Sequence, residues 1–287
     1  MDLKENRTLS FIIILLIYAL ACGIGIVVYL ALPYSIWLNL LIADVVATVV
    51  TYIFSVMLNN ASVYDPYWSV QPVVILVGFA FGVKLNLLKV LMLIVVCLWG
   101  IRLTANWAYT FKSLNHQDWR YTMLEQKTGK FYQIVNFLGI HMFPTIVVYL
   151  VTLPAVFVFN SEVLGNVFSY VFLALSLFAV VLQCLADCQM HKFRKNKNGK
   201  TFIRIGVWKY SRHPNYLAEI LMWWGIGLSS VLTLNAMWYL LVGALINNLM
   251  FLFVSIPLAD GKQSKKEGFL EYKSQTRMLL PIKKFKK

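Results

Sequence analysis

Five polar side chains crowd the stretch KYSRHPNYLAEI, Lys209 to Ile220: Lys209, Arg212, His213, Asn215 and Glu219. They stand against the start of an apolar run, Leu217 to Leu234. Ionisable groups are costly at the mouth of a membrane helix and mark a candidate site. Pro214 suits the first turn of a helix, where a missing N–H costs nothing, so a helix is expected to begin near His213. Its N-terminus favours anions. Asn215 and Glu219 fall one turn apart on one face, and Tyr216 lies three residues before Glu219. Arg212 and His213 therefore read as an anion grip. Beside them Asn215, Tyr216 and Glu219 form a hydrogen-bonding face. That combination suits a nucleotide cofactor, which carries phosphates together with sugar hydroxyls or an amide.

Two further groups have chemical potential. In ASVYDPYWSVQP, Ala61 to Pro72, an acid stands among phenols: Asp65 beside Tyr64, with Tyr67 two residues on. Tyr and Trp alone are explained by a membrane-interface belt. A carboxylate next to a phenol is not, and such a pair can share a proton and donate to a carbonyl oxygen. Arg102, on the following span, is expected to hold Asp65 in its ionised form. The other group is Gln183, Asp187, His191 and Arg194. Their helical spacing lines one face as a span leaves the bilayer into the basic stretch 187–213. Cys184 and Cys188, one turn apart before His191, read as packing residues and not as a metal site, and the four cysteines imply no disulfide framework. Asp44 and His141 stand alone within spans and read as interhelix hydrogen-bonding groups.

The elements that must position these groups follow from composition. The chain has 287 residues, 60% of them hydrophobic and only 13% charged, which is far too apolar for an ordinary soluble domain. Continuous apolar runs of about 20 residues recur, long enough to cross about 30 Å of hydrocarbon. The expected fold is all-α: a polytopic helical membrane protein with spans near 9–32, 36–58, 70–83, 86–111, 131–158, 163–186, 214–233 and 236–258. Charge supports a count of eight. The stretch 187–213 carries eight Lys or Arg and the tail from Lys262 carries nine, while the opposite connections carry almost none. Basic residues concentrate on the cytoplasmic side, and eight spans place every rich stretch there together with both termini. One membrane domain is expected over 1–287, with a two-helix extension at 1–58. The C-terminal KKFKK reads as a solvated, lipid-facing tail. Nothing in the pattern suggests a nucleic-acid partner; the expected partners are the bilayer and a lipophilic small molecule.

The segment GVWKYSRHPNYLAEILMWWGIGL, Gly206 to Leu228, closely resembles the signature of the DUF1295 membrane proteins, a family related to the steroid 5-alpha-reductases. Its SRHPNY…E core is similar to that of sterol C14-reductases and, more loosely, of isoprenylcysteine and phospholipid methyltransferases. YDPYWS (Tyr64 to Ser69), RLTANW (Arg102 to Trp107), HQDWRY (His116 to Tyr121), ADCQMHKFR (Ala186 to Arg194) and EYKSQTRMLLP (Glu271 to Pro281) extend the resemblance over residues 60–281.

The resemblance implies NADPH-dependent reduction of a polarised C=C bond in a steroid-like or other lipophilic enone. By position it implies Asp187, His191, Arg194, Asn215, Tyr216 and Glu219 as cofactor contacts, with Arg212 and His213 joining them on charge. Asp65, Tyr64, Tyr67 and Arg102 are the expected catalytic group. The eukaryotic reductases use a Gln-Glu pair, aided by a Tyr on the next span. YDPYWS occupies about that place here, and the next span has Trp99 and Gly100 where the Tyr is sought. Ala218 stands where the family commonly has Gly, and Asp260 where a Glu is common. The alternative functions are an S-adenosylmethionine-dependent membrane methyltransferase and a non-catalytic lipid-binding protein. A bacterial inner membrane is expected in preference to the endoplasmic reticulum.

Overall fold

The computed structural model describes residues 4–197, 199, 201–235 and 237–281; the KKFKK tail lies outside the described residues. Twelve α-helices run through the described residues. They are α1 (Arg7–Ala31), α2 (Ile36–Met57), α3 (Tyr67–Ala80), α4 (Leu87–Thr110), α5 (Trp119–Thr128), α6 (Tyr132–Val135), α7 (Phe143–Phe159), α8 (Val167–Lys195), α9 (Pro214–Thr233), α10 (Val242–Met250), α11 (Ile256–Gln263) and α12 (Phe269–Gln275). Two π-helical segments, Asn136–Met142 and Phe251–Ser255, are inserted in the runs. Among the described residues there is no strand, and one isolated bridge pairs Ser211 with Arg277.

The chain is an all-α, multi-pass integral membrane protein. Seven helical runs are long and apolar enough to cross a bilayer; two are composite, Trp119–Phe159 and Trp238–Gln263. The eighth expected span, 70–83, is the 14-residue α3. At 1.5 Å per residue it is about 21 Å long, short of the hydrocarbon thickness. It still runs antiparallel to α4, because Ser69 Oγ meets Thr104 Oγ1 at 2.8 Å near its start. Further along α3, Val73 lies against Gly100. The chain therefore turns back at 81–86, but seven runs and not the expected eight reach spanning length among the described residues. The stretch 112–130, expected as a loop, is mostly α5, whose N-cap Asp118 accepts from the Arg120 amide.

The helices gather into two compact units. One contains the chain up to Gly78 and Trp99–Leu153, the other Phe79–Leu98 and the chain from Pro154 onward. In the first unit, α1 and α2 approach through small residues: a β-carbon on Gly25 would lie 3.4 Å from the Ala43 carbonyl. The cytoplasmic-side end of α1, on the charge assignment above, is tied to the segment after α4. Ser10 Oγ accepts the Leu114 amide at 3.0 Å, and Ile14, Ile17, Val63, Phe111 and Leu114 form a core cluster. In the second unit α8 packs along α9, with Gly225 seated where a β-carbon would collide with Ser176 and the Phe172 carbonyl. Asn166 caps α8 through Ser169 and donates to the Leu232 carbonyl at 2.9 Å, closing the far end of the pair.

Candidate functional site

In the first unit the chemistry is built on the 3-10 turn Ala61–Tyr64. Asn60 anchors it: its side-chain oxygen accepts from the Ser62 amide at 2.8 Å, and its Nδ2 donates to the Leu114 carbonyl at 2.6 Å. The Ala61 amide donates to Gln117 Oε1, and Ser62 Oγ accepts the Asp118 amide, both at 2.8 Å. These bonds hold residues 60–65 against 114–121. The phenol of Tyr121 is thereby brought to Asp65, and donates to its Oδ1 at 2.6 Å.

Asp65 lines a cavity of about 430 Å³. Trp68, Leu103, Trp107 and Phe111 supply its apolar wall, and Lys112, His116, Asp118 and Arg120 also face it. Burial raises the Asp65 carboxyl from 3.8 to about 6, against the opposing pull of the Arg120 guanidinium and the Tyr121 hydroxyl. The leading cation at Asp65 is Arg120. Arg102 lies on α4 two residues before Thr104, which meets Ser69.

Tyr64 and Tyr67 depart from expectation. Their hydroxyls do not serve Asp65. Tyr64 bonds to Thr145 Oγ1 at 2.7 Å, and Tyr67 donates to Asp44 Oδ1 at 3.2 Å. Gln71 Nε2 donates to the other Asp44 oxygen. Thr48 meets Thr145 at 3.0 Å, and the His141 ring lies 4.7 Å from that of Tyr64. Asp44 and His141 therefore belong to a buried polar network between helices, the role their isolation suggested. The turn aims consecutive side chains in different directions, so adjacency in YDPY is not contact. Trp99 and Gly100 stand where a Tyr was sought for a packing reason. A β-carbon at Gly100 would lie 2.5 Å from Val73 and 2.7 Å from the Ser69 carbonyl, and Trp99 is wholly buried.

In the second unit α9 begins where expected, with His213 as N-cap and Pro214 in its first turn. Glu219 is buried on α9. Its Oε2 accepts from Gln183 Nε2 at 2.7 Å, and its Oε1 from Trp223 Nε1 at 3.0 Å. The α8 face holds as a face: Gln183 is buried, Asp187 and His191 are half-buried, and Arg194 is exposed. Asn215 Oδ1, Gln183 Oε1 and Asn247 Nδ2 are buried without a hydrogen-bond partner among the described residues. Such atoms are expensive unless a ligand or water meets them, so this region fits an amide- or hydroxyl-bearing cofactor.

Arg212 and His213 are not an open anion grip. Arg212 Nη2 and His213 Nε2 each contact Asp260 at 3.0 Å, from opposite carboxylate oxygens. Arg212 Nη1 also donates to the Thr276 carbonyl, and Lys273 adds a 3.6 Å contact to Asp260. Local spacing showed the two cations but not the acid 47–48 residues later that meets them. Tyr216 stacks on His213 with ring centroids 5.2 Å apart, and so borders this cluster. Tyr121, Arg120 and Asp260 are the residues whose roles sequence reasoning missed. The signal for the first two was weak: an N-cap Asp118 placing Arg120 and Tyr121 in the first turn of α5.

The family model described as "Protein of unknown function (DUF1295)" matches residues 51–276, from within α2 to the end of α12. It takes in Asp65, Tyr121, Glu219 and Asp260. An uncharacterized protein of Schizosaccharomyces pombe, C594.04c, is 29% identical over 198 residues, 59% of this chain and 57% of its own length. The chain thus spans a little over half of that relative. No solved structure matches.

Proposed function

The chain belongs to the DUF1295 family, and on that premise we propose that it is an NADPH-dependent membrane reductase of a C=C bond in a lipophilic enone. The observation that carries this reading is Asp65 at the wall of the 430 Å³ cavity, with the Tyr121 phenol bonded to it. Reduction of an enone gathers negative charge on the carbonyl oxygen, and a donor aimed there lowers the barrier. A carboxyl whose proton is held up to about pH 6 can donate to that oxygen; so can a phenol oriented by the ionised acid. Trp68 and Trp107 give the cavity an aromatic side against which an apolar body can lie.

NADPH, when bound, supplies the hydride. The residues proposed to hold it are in the second unit. Asn215 Oδ1 and Gln183 Oε1 would receive amide or hydroxyl hydrogens, and Glu219, kept in one rotamer by Gln183 and Trp223, would accept another. Asp187, His191 and Tyr216 are half-buried, and Arg194, at the exposed end of the α8 face, is a cation that would meet a phosphate. Arg212 and His213 support the start of α9 through Asp260, and the Arg212 charge is already matched there. A bacterial inner membrane stays part of this reading. The similar S. pombe protein means that related chains also occur in a eukaryote.

The test is ligand-induced thermal stabilisation of the purified protein in detergent, with NADPH against S-adenosylmethionine. A ligand at a hundred times its Kd stabilises by about 2.7 kcal/mol. NADPH should raise the transition and S-adenosylmethionine should not. In the same preparation, enone-dependent loss of NADPH fluorescence should vanish in Asp65→Asn while the NADPH shift remains. Stabilisation by S-adenosylmethionine alone would replace the reductase with the methyltransferase, and stabilisation by neither would leave no cofactor enzyme.

A further inference from the structure

In the second unit two basic segments are tied together by bonds that use no acid. Lys266 Nζ donates to the Thr201 carbonyl at 2.9 Å, and Arg204 Nη2 donates to the Gly268 carbonyl at 2.7 Å. These ties bring the segment after α8 against the segment after α11. Residues 188–218 include no Asp or Glu, and 262–266 include Lys262, Lys265 and Lys266. Burial, and then Lys197, Lys262 and Arg194, hold the half-buried Lys266 ammonium below the usual lysine range. Cations from both segments therefore share one field. The neighbouring acids do not match them. Asp260 is taken by Arg212, His213 and Lys273, and Asp187 lies two turns before Arg194 on α8. Glu267 and Glu271 are exposed and form no ion pair among the described residues. Holding like charges together is costly, and a bound anion relieves the cost.

Two further observations point to the kind of anion. The cluster stands where two runs of bilayer-crossing length end, Val167–Lys195 and Trp238–Gln263; Lys197 and Lys266 follow those ends by two and three residues. Beside the Arg204–Gly268 tie stand Ile205 and Leu270, aliphatic side chains that are 59% and 65% exposed. Cations interleaved with exposed aliphatic groups at the ends of spans fit a lipid surface. Its headgroups meet the cations and its acyl boundary covers the aliphatic groups. A soluble polyanion would cover the cations alone. We propose that this cluster docks an anionic phospholipid of the surrounding bilayer, with its headgroup phosphate at Lys197 and Lys266 and its acyl boundary at Ile205 and Leu270. Lys262 adds to the same field. Arg194 shares the α8 face with Gln183, Asp187 and His191, so headgroup and cofactor would draw on different cations. Lipid docking here does not depend on reductase activity.

The experiment adds dioleoylphosphatidylglycerol or dioleoylphosphatidylcholine to the purified full chain in detergent and reads bound lipid by native mass spectrometry. The zwitterionic lipid measures binding to the apolar surface alone. The anionic lipid should bind more tightly, and its advantage should fall about fivefold for each lysine removed in Lys197→Gln and Lys266→Gln. Added salt should remove the same advantage. The control is Lys127→Gln with Lys130→Gln, which takes equal charge from another basic segment and should leave the advantage within about twofold. Lys266→Gln also gives up the bond to Thr201, so Lys197→Gln, at an exposed side chain, carries the test if the other variant is unstable. Equal binding of the two lipids by wild type overturns the inference. So does an equal loss in the control, which would reduce the preference to the general positive charge of the loops. Inorganic phosphate is titrated in parallel. Displacement of the anionic lipid alone supports the docking surface. Phosphate binding without any lipid preference would assign the cluster to a soluble anion and overturn the lipid.

Discussion

Replacing Tyr121 with Phe isolates one hydrogen bond, the 2.6 Å contact from its hydroxyl to Asp65 Oδ1. A hydrogen bond to a carboxylate is worth about 1.5–3 kcal/mol, and one pKa unit is about 1.4 kcal/mol. The bond favours the ionised carboxylate, so its loss should raise the Asp65 pKa by about 1–2 units, from about 6 to about 7–8. The direction is fixed by chemistry: burial already opposes ionisation, and Tyr121→Phe removes one of the groups resisting it. The assay is infrared difference spectroscopy across pH 4–9, following the protonated-carboxyl band that disappears in Asp65→Asn. Turnover adds a second reading. If Asp65 is the donor, activity falls as pH rises through its pKa, and the variant should stay active about 1–2 pH units higher. If Tyr121 is the donor and Asp65 orients it, the variant should lose about 10²–10³ in turnover at every pH. A carboxyl midpoint unchanged or lowered in Tyr121→Phe would refute the pairing on which both readings depend.

Glu219→Gln keeps the shape of the side chain and removes its charge, so NADPH affinity should drop by roughly ten- to a hundredfold in thermal-shift titrations, with Asn215→Ala falling in the same range. Asp260→Ala strands Arg212 without its buried counter-charge and His213 without its hydrogen-bond partner, a loss of about 3–5 kcal/mol for a broken buried pair; limited proteolysis should then cut within 262–281 more readily than in wild type. Lys197→Cys, in a background without the native cysteines, should be blocked to an impermeant thiol reagent applied from outside intact cells. Labelling there would reverse the orientation assigned from loop charges.

The long elements were legible because a bilayer demands continuous apolar runs, and α1, α2, α4, α8 and α9 each have one. The start of α9 was legible at Pro214, since proline at N1 is a local rule. The short reach of α3 and the π-helical turns at 136–142 and 251–255 were not, because they depend on packing and on backbone hydrogen-bond register, which residue types barely encode. The site divided along the same line. Glu219 and Gln183 face each other because both lie on regular helices with readable faces. Asp65 was found by its unusual neighbours, but its true partner Tyr121 is 56 residues away and reaches it only through the clamp of Asn60 and Ser62 on residues 114–118. Arg212 and His213 were misread for the mirror-image reason. Their charges are local, and the acid that matches them is not.

The bridge between Ser211 and Arg277 has a consequence for how the protein is made. Arg212 and His213 donate their amides to the Arg277 and Met278 carbonyls, at 3.0 and 3.2 Å, and their side chains depend on Asp260. A ribosome adds about 5–20 residues per second, so the partners of Arg212 emerge roughly 2–13 s after it does. During that interval water, and not Asp260, solvates the Arg212 guanidinium. The native packing around the first turn of α9 is therefore complete only when Asp260 and residues 276–278 have been made, although they lie 48–66 positions further along the chain.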